Sequence, residues 1–209
     1  VAPVSERDFL EAAAKARTAE VVRAVEAETS VEVVVAVRRA ASRHFAISLA
    51  VGLGCAVLGF AVMWLSPQVY DVRTMPLDVA LAFLLGTGLV ASVPALRRAL
   101  TPAGLKRARA ERAARAAFSE LGIDKTRERS GLLVYVALFE RAVVLLPDRG
   151  IPATLASGPL AALGEALTQS VRKADLESFL RALRDLGPAC AARLPRRADD
   201  KNELCDHVA

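Results

Sequence analysis

Two long apolar runs in the first half of the chain decide how everything else can be arranged. From Phe45 to Leu65 the sequence reads FAISLAVGLGCAVLGFAVMWL without a charged residue. At ~1.5 Å per helical residue such a run crosses the ~30 Å of hydrocarbon in a bilayer. Its ten Leu, Ile, Val and Phe residues together favour insertion by roughly 3 to 6 kcal/mol. A second uncharged run, VALAFLLGTGLVASVPAL, extends from Val79 to Leu96 and is interrupted by Gly86, Gly88 and Pro94. Spans tolerate such interruptions because neighbouring helices re-satisfy the backbone. A buried hairpin of a soluble protein would carry charges where it meets water. The two runs therefore predict a transmembrane hairpin, with the lipid bilayer as the first partner.

The hairpin removes a large part of the 209 residues from any aqueous core and leaves room for one modest domain. The 24% of charged residues must be concentrated in that remainder. Basic residues outnumber acidic ones, 28 to 23. No finger, RNP-like or helix-turn-helix pattern accompanies them, so the surplus speaks for a membrane surface and against nucleic acid. Cys55, Cys190 and Cys205 have no metal-ligand spacing and suggest no disulfide framework. The opening residues are polar and lack the apolar core of a signal peptide, so the first span is expected to act as its own insertion signal.

Arg38, Arg39 and Arg43 precede the first span, and Arg97, Arg98, Lys106, Arg107 and Arg109 follow the second, whereas the connecting loop carries only Arg73. This asymmetry predicts an inner or plasma membrane protein with both chain ends in the cytoplasm.

Around the hairpin the patterning is that of an α/β domain. Ser5 and Asp8 suggest the capped start of a helix reaching about Glu28. The β-branched run Val31 to Val37 reads as a strand covered on both faces. Thr101 and Pro102 are expected to open a second helix that ends near Gly122 and carries Lys106, Arg107, Arg109, Arg112 and Arg115 on its outer side. The runs LLVYVALF and AVVLLP, joined at Glu140-Arg141, predict a β-hairpin. Helices are expected over 159–173 and 174–193, followed by an exposed tail. The resulting boundaries are a first domain segment 1–37, a membrane hairpin 38–102, a second domain segment 103–194 and a tail 195–209. Strand one should pair parallel with strand two, and strand three antiparallel to it.

This order of elements resembles the TPM-domain family. AVEAETSVEVVVAV is similar to that family's helix-to-strand entry, RERSGLLVYVALFERAVVLLPDRGI to its central hairpin, and DDKNELCDH to the tail of a membrane-embedded subgroup. The resemblance implies an α/β/α sandwich, here a small three-layer one split by the inserted hairpin. It also implies either an acid-phosphatase activity or an accessory role in maintaining membrane complexes. The family's Asp-Asn-Gly before the central strand is replaced by Arg129-Ser130-Gly131, which removes the expected carboxylate.

Metal-assisted phosphoryl hydrolysis needs carboxylates converging on a hard cation such as Ca²⁺ or Mg²⁺. Glu128, Glu140 and Asp148 are the acids near predicted strand ends, with Arg141 and Arg149 beside them. The tail adds Asp199, Asp200, Glu203, Cys205, Asp206 and His207 without the spacing of a known site type. His44, beside Arg43, reads as an interfacial residue. No phosphate loop, nucleophile elbow or H-E-x-x-H string occurs. Small residues four apart in the spans suggest close helix packing, within the hairpin or between chains. The sequence thus favours a non-catalytic module that binds a membrane-protein partner or itself, with a metal-dependent phosphatase as the rival.

Overall fold

The computed structural model describes residues 8–41, 45–67 and 70–197. The chain divides into two compact units, Val1–Ala41 with Lys106–Ala209, and Ser42–Leu105.

The first unit is built on a three-stranded sheet in the order β1-β2-β3, formed by Glu32–Arg38, Gly131–Ala137 and Ala142–Pro147. β1 pairs parallel with β2 from Glu32↔Gly131 to Arg38↔Ala137, and β2 pairs antiparallel with β3 from Leu132↔Pro147 to Ala137↔Ala142. Both orientations agree with the sequence reading. All seven residues of the central strand are buried, as a strand covered on both faces requires.

Side chains alternate across this sheet. On one face Val33, Val35, Leu132, Val134 and Val136 join a core with α1 (Ala12–Glu26), α7 (Pro159–Lys173), α8 (Leu176–Arg184) and α9 (Leu186–Ala191). Phe9 meets Phe179 edge-on there, with ring centres 5.5 Å apart. On the other face Val34, Ala36, Leu133, Tyr135 and Ala137 meet Ala110, Ala114 and Ala117 of α5 (Ala103–Glu120). The sheet edges are occupied by side chains. Glu26 Oε1 accepts from Val33 N at 3.0 Å, and Thr168 Oγ1 accepts from Val143 N at 3.2 Å. Such contacts blunt edges that would otherwise template further strands.

The second unit contains α2 (Phe45–Leu65), α3 (Met75–Ser92) and α4 (Pro94–Leu100). The second long helix therefore starts earlier than the apolar run, with Asp78 in its first turn, and ends before Pro94. A continuous helix would ask the missing Pro94 N–H to donate to Val90, so the chain breaks at Val93 and restarts with proline in the first turn. Pro188 has the same effect on the helix expected over 174–193. It cannot donate to Arg184, and the segment divides into α8 and α9 at Asp185.

One further expectation is corrected, and two details are added. The hydroxyl of Thr101 does not open α5 but donates to Arg97 O at 2.7 Å, closing α4. A short helix, α6 (Ala153–Ser157), precedes α7. The described tail residues, 195–197, are exposed, as expected, and are bonded to the domain. Thr29 and Pro195 form a β-bridge, Ser30 Oγ donates to Pro195 O at 2.9 Å, and Arg196 donates to Glu26 O at 2.9 Å. The predicted Ser5 cap lies outside the described residues.

The α7–α8 junction carries opposing local effects. Ala174 closes α7 in the left-handed region at φ 53, with Asp175 N donating to Ser170 O at 2.9 Å. Asp175 then caps α8, accepting from Ser178 N at 3.0 Å and from Ser178 Oγ at 2.6 Å. These bonds from Ser178 hold the Asp175 carboxyl below its ordinary range. Asp175→Ala is expected to cost about 1 kcal/mol. Because the folded-state pKa is depressed, this contribution is present above the ordinary carboxylate range and is lost as pH falls through the folded value. Ala174→Gly should instead raise stability by roughly 0.5 kcal/mol, since the relieved left-handed strain exceeds the added chain entropy. Denaturant midpoints of both variants in detergent test the pair.

Candidate functional site

The hairpin unit owes its form to glycine. A Cβ on Gly52 would press on the Thr87 hydroxyl and come within 2.7 Å of Phe83 O. One on Gly86 would come within 2.7 Å of Cys55 Sγ. One on Gly59 would touch Ala82 Cβ at 3.5 Å. These contacts run antiparallel and seat α2 against α3 by close backbone approach. Gly54 and Gly88 face open space, so the small-residue pairs are used within the hairpin on only one side.

The opposite surfaces are covered with large apolar groups. Leu53, Val57, Leu58, Trp64 and Leu65 of α2, with Leu77, Leu84, Leu85 and Leu89 of α3, are all exposed. Two helices, Ala46–Leu65 and Met75–Ser92, are long and apolar enough to cross a membrane, yet only 17% and 6% of their most apolar windows is buried within the protein. A core helix of a soluble protein would be mostly covered, whereas a contiguous apolar surface of this extent marks an interaction site.

The acids singled out from sequence separate. Glu128 and Asp148 lie at the end where β2 begins and β3 finishes, and Glu140 lies in the turn at the other end. Seven residues of β2 at ~3.3 Å each put the two ends about 20 Å apart. One cation cannot be held by all three. Among the described residues no three His, Cys, Asp or Glu side chains gather closely enough to hold a metal ion. The tail residues Asp199 to His207, and His44, lie outside the described residues.

Each of the three acids has its own surroundings. Glu140 is buried, and both carboxylate oxygens accept from Ala41 N at 3.1 Å. Glu128 is exposed and pairs with Arg197 at 2.6 Å. Asp148 is buried. Its Oδ1 accepts from Arg149 N at 2.7 Å, while Oδ2 has no hydrogen-bond partner among the described residues.

Around Asp148 two loops interlock. Asp148 N donates to Gly131 O and Gly150 N to Arg129 O, both at 2.8 Å, and a Cβ on Gly150 would approach Arg129 O to 2.6 Å. Gly131 in turn lies against Ile123, leaving 2.8 Å between a Cβ there and Ile123 O. The segment following Ile123 supplies two more buried oxygens without partners, Asp124 Oδ1 and Thr126 Oγ1. Sequence reading missed this pair, because neither residue belongs to an acidic string or a motif. Burial pushes the Cys190 thiol up to about 11, which disfavours its thiolate form.

The first unit is a mixed α/β domain interrupted by a unit with two membrane-length helices. A solved structure of similar fold is the NMR structure of the BA42 protein from the psychrophilic bacterium Bizionia argentinensis. It has a TM-score of 0.56 and 17% sequence identity over 96% of this chain and 94% of that one. No family model and no curated protein matches the chain.

The unequal surroundings separate the acids experimentally. Glu140→Ala is expected to cost roughly 1.5 to 3 kcal/mol, the usual range for a bond to a charged group. Glu128→Ala should cost less than about 1 kcal/mol, as exposed ion pairs do. Unfolding midpoints of the two variants in detergent check the order.

Proposed function

We propose that this chain is a membrane-anchored protein with a TPM-like domain that acts without catalysis, as an interaction module in the assembly or upkeep of a membrane complex. In this reading the domain is a three-layer α/β/α sandwich, with α5 on one side of the sheet and α1, α7, α8 and α9 on the other. The bilayer is an inner or plasma membrane with both chain ends cytoplasmic, and the domain engages a membrane-protein partner or a second copy. The observation that carries the proposal is the pair of membrane-length helices whose apolar side chains the protein itself leaves uncovered. The cations flanking the hairpin support the orientation.

Expressed protein should stay in the membrane pellet after alkaline carbonate extraction, and a cysteine replacing Thr74 should label from the non-cytoplasmic side only. Release into the supernatant would overturn the anchoring. Crosslinking in native membranes that repeatedly returned neither a membrane protein nor a second copy would overturn the interaction role.

A second reading, a metal-dependent phosphatase, draws on the partnerless buried oxygens of Asp124, Thr126 and Asp148 near the interlocked loops. Oxygens of this kind suit Ca²⁺ or Mg²⁺. Calorimetry with each ion in detergent should show saturable binding that Asp148→Asn abolishes and Glu140→Gln leaves intact. Phosphatase turnover should follow the same pattern. No binding, or loss of binding in both variants, would dismiss this second reading.

A further inference from the structure

The outer face of α5 is a charged surface that the anchoring does not itself use. Ala110, Ala114 and Ala117 turn toward the sheet. At ~100° per residue, Arg112, Arg115 and Ser119 then project from the opposite side, whereas Arg109, at its border, is half-buried with its Nη1 covered. Arg112, Arg115 and Ser119 are exposed. Of the two acids of α5, Glu111 is taken by Arg107 at 3.2 Å, and Glu120 lies exposed at the end of the helix. Arg109, Arg112 and Arg115 have no carboxylate partner among the described residues. Exposed Leu105 and Ala116 share the face and add a little apolar area among the arginines.

The helix also follows closely on the hairpin in sequence. α3 ends at Ser92, and Val93, α4, Thr101 and Pro102 are all that separate it from α5 in sequence. Ten residues, 93–102, thus join the second membrane-length helix to α5 in sequence. Guanidinium groups recognise phosphate through paired N–H donors, so the complementary surface is one of phosphate esters.

We infer that the outer face of α5, through Arg112 and Arg115, docks onto anionic phospholipid headgroups of the membrane that holds the hairpin. The inference rests on the anchored reading and adds a second, lipid-selective attachment to it. Each arginine near an anionic surface favours the docked state by about fivefold. The attraction is screened once the Debye length contracts to ~3 Å near 1 M salt.

The test uses the full chain in nanodiscs of phosphatidylcholine alone or mixed with phosphatidylglycerol. Cys55 and Cys205 are replaced by alanine and serine, and a spin label is placed at Ser119→Cys. Collision with a water-soluble nickel chelate is expected to fall several-fold when phosphatidylglycerol is present, and to recover in high salt. In the Arg112→Glu, Arg115→Glu variant the label should stay accessible in both lipids, with unchanged helical content by circular dichroism. If that variant loses helicity, the glutamine double variant takes its place. Equal accessibility in both lipids would overturn the docking and leave the anchor intact. Protection that persists in the variant would overturn the assignment to these arginines. Failure of the chain to enter nanodiscs would overturn the anchored reading, and the docking with it.

Discussion

The parallel ladder between β1 and β2 is the interaction on which the first unit depends. The chain leaves β1 at Arg38, passes through the whole hairpin unit, and must return so that Gly131 lies beside Glu32. Loop-closure entropy grows only logarithmically with length, so a long excursion adds little cost. What must be specified is the register on return. The alternation of Val33, Val35, Leu132 and Val134 toward one core, and Val34 and Leu133 toward the other, provides it. A slip by one residue would exchange the two sets of side chains. The bonds from Leu138 N to Arg38 O and from Phe139 N to Arg39 O carry the pairing past the strand ends.

The two faces of this sheet are stabilised differently. α1, α7 and α8 bring branched and aromatic side chains, among them Val25, Leu167, Phe179 and Leu183, all almost wholly buried. α5 brings alanines. An alanine contact lets a helix lie close to the sheet but buries less apolar area per residue, and stabilisation scales with that area. The α5 side is therefore the thinner attachment, while the other face holds most of the core. That division leaves the long cationic side chains of α5 for solvent or a partner.

Much of this architecture was legible in the sequence because it rests on local periodicity. A run of β-branched residues, two uncharged stretches and a helix bounded by Pro159 and Lys173 each announce themselves within a short window. The prolines were equally visible, yet their effects at Pro94 and Pro188 depend on which carbonyl each would have served. Long-range bonds left no local trace. Nothing near Thr29 or Ser30 indicates that Leu194 and Pro195 lie alongside, and nothing near Ala41 points to Glu140. The same limit governs the acids. Glu140 and Asp148 are close in sequence, but an antiparallel strand between them carries them to opposite ends of the sheet.

The fate of those acids bears on what the domain can recognise. Glu26 bonds the edge of β1, Glu140 holds Ala41, Glu128 pairs with Arg197, Glu177 with Arg17, and Asp175 caps α8. Carboxylates committed in this way are fixed in internal or local contacts rather than turned toward a ligand. Arg109, Arg112 and Arg115 have no such commitment among the described residues. The formal charge of +5 is modest, yet part of the positive half is gathered on one helix. Fields of exposed groups act over about a Debye length, so this local pattern sets the choice of partner more than the total charge does. In the proposed docking, it is the exposed Arg112 and Arg115 of α5 that meet the anionic surface.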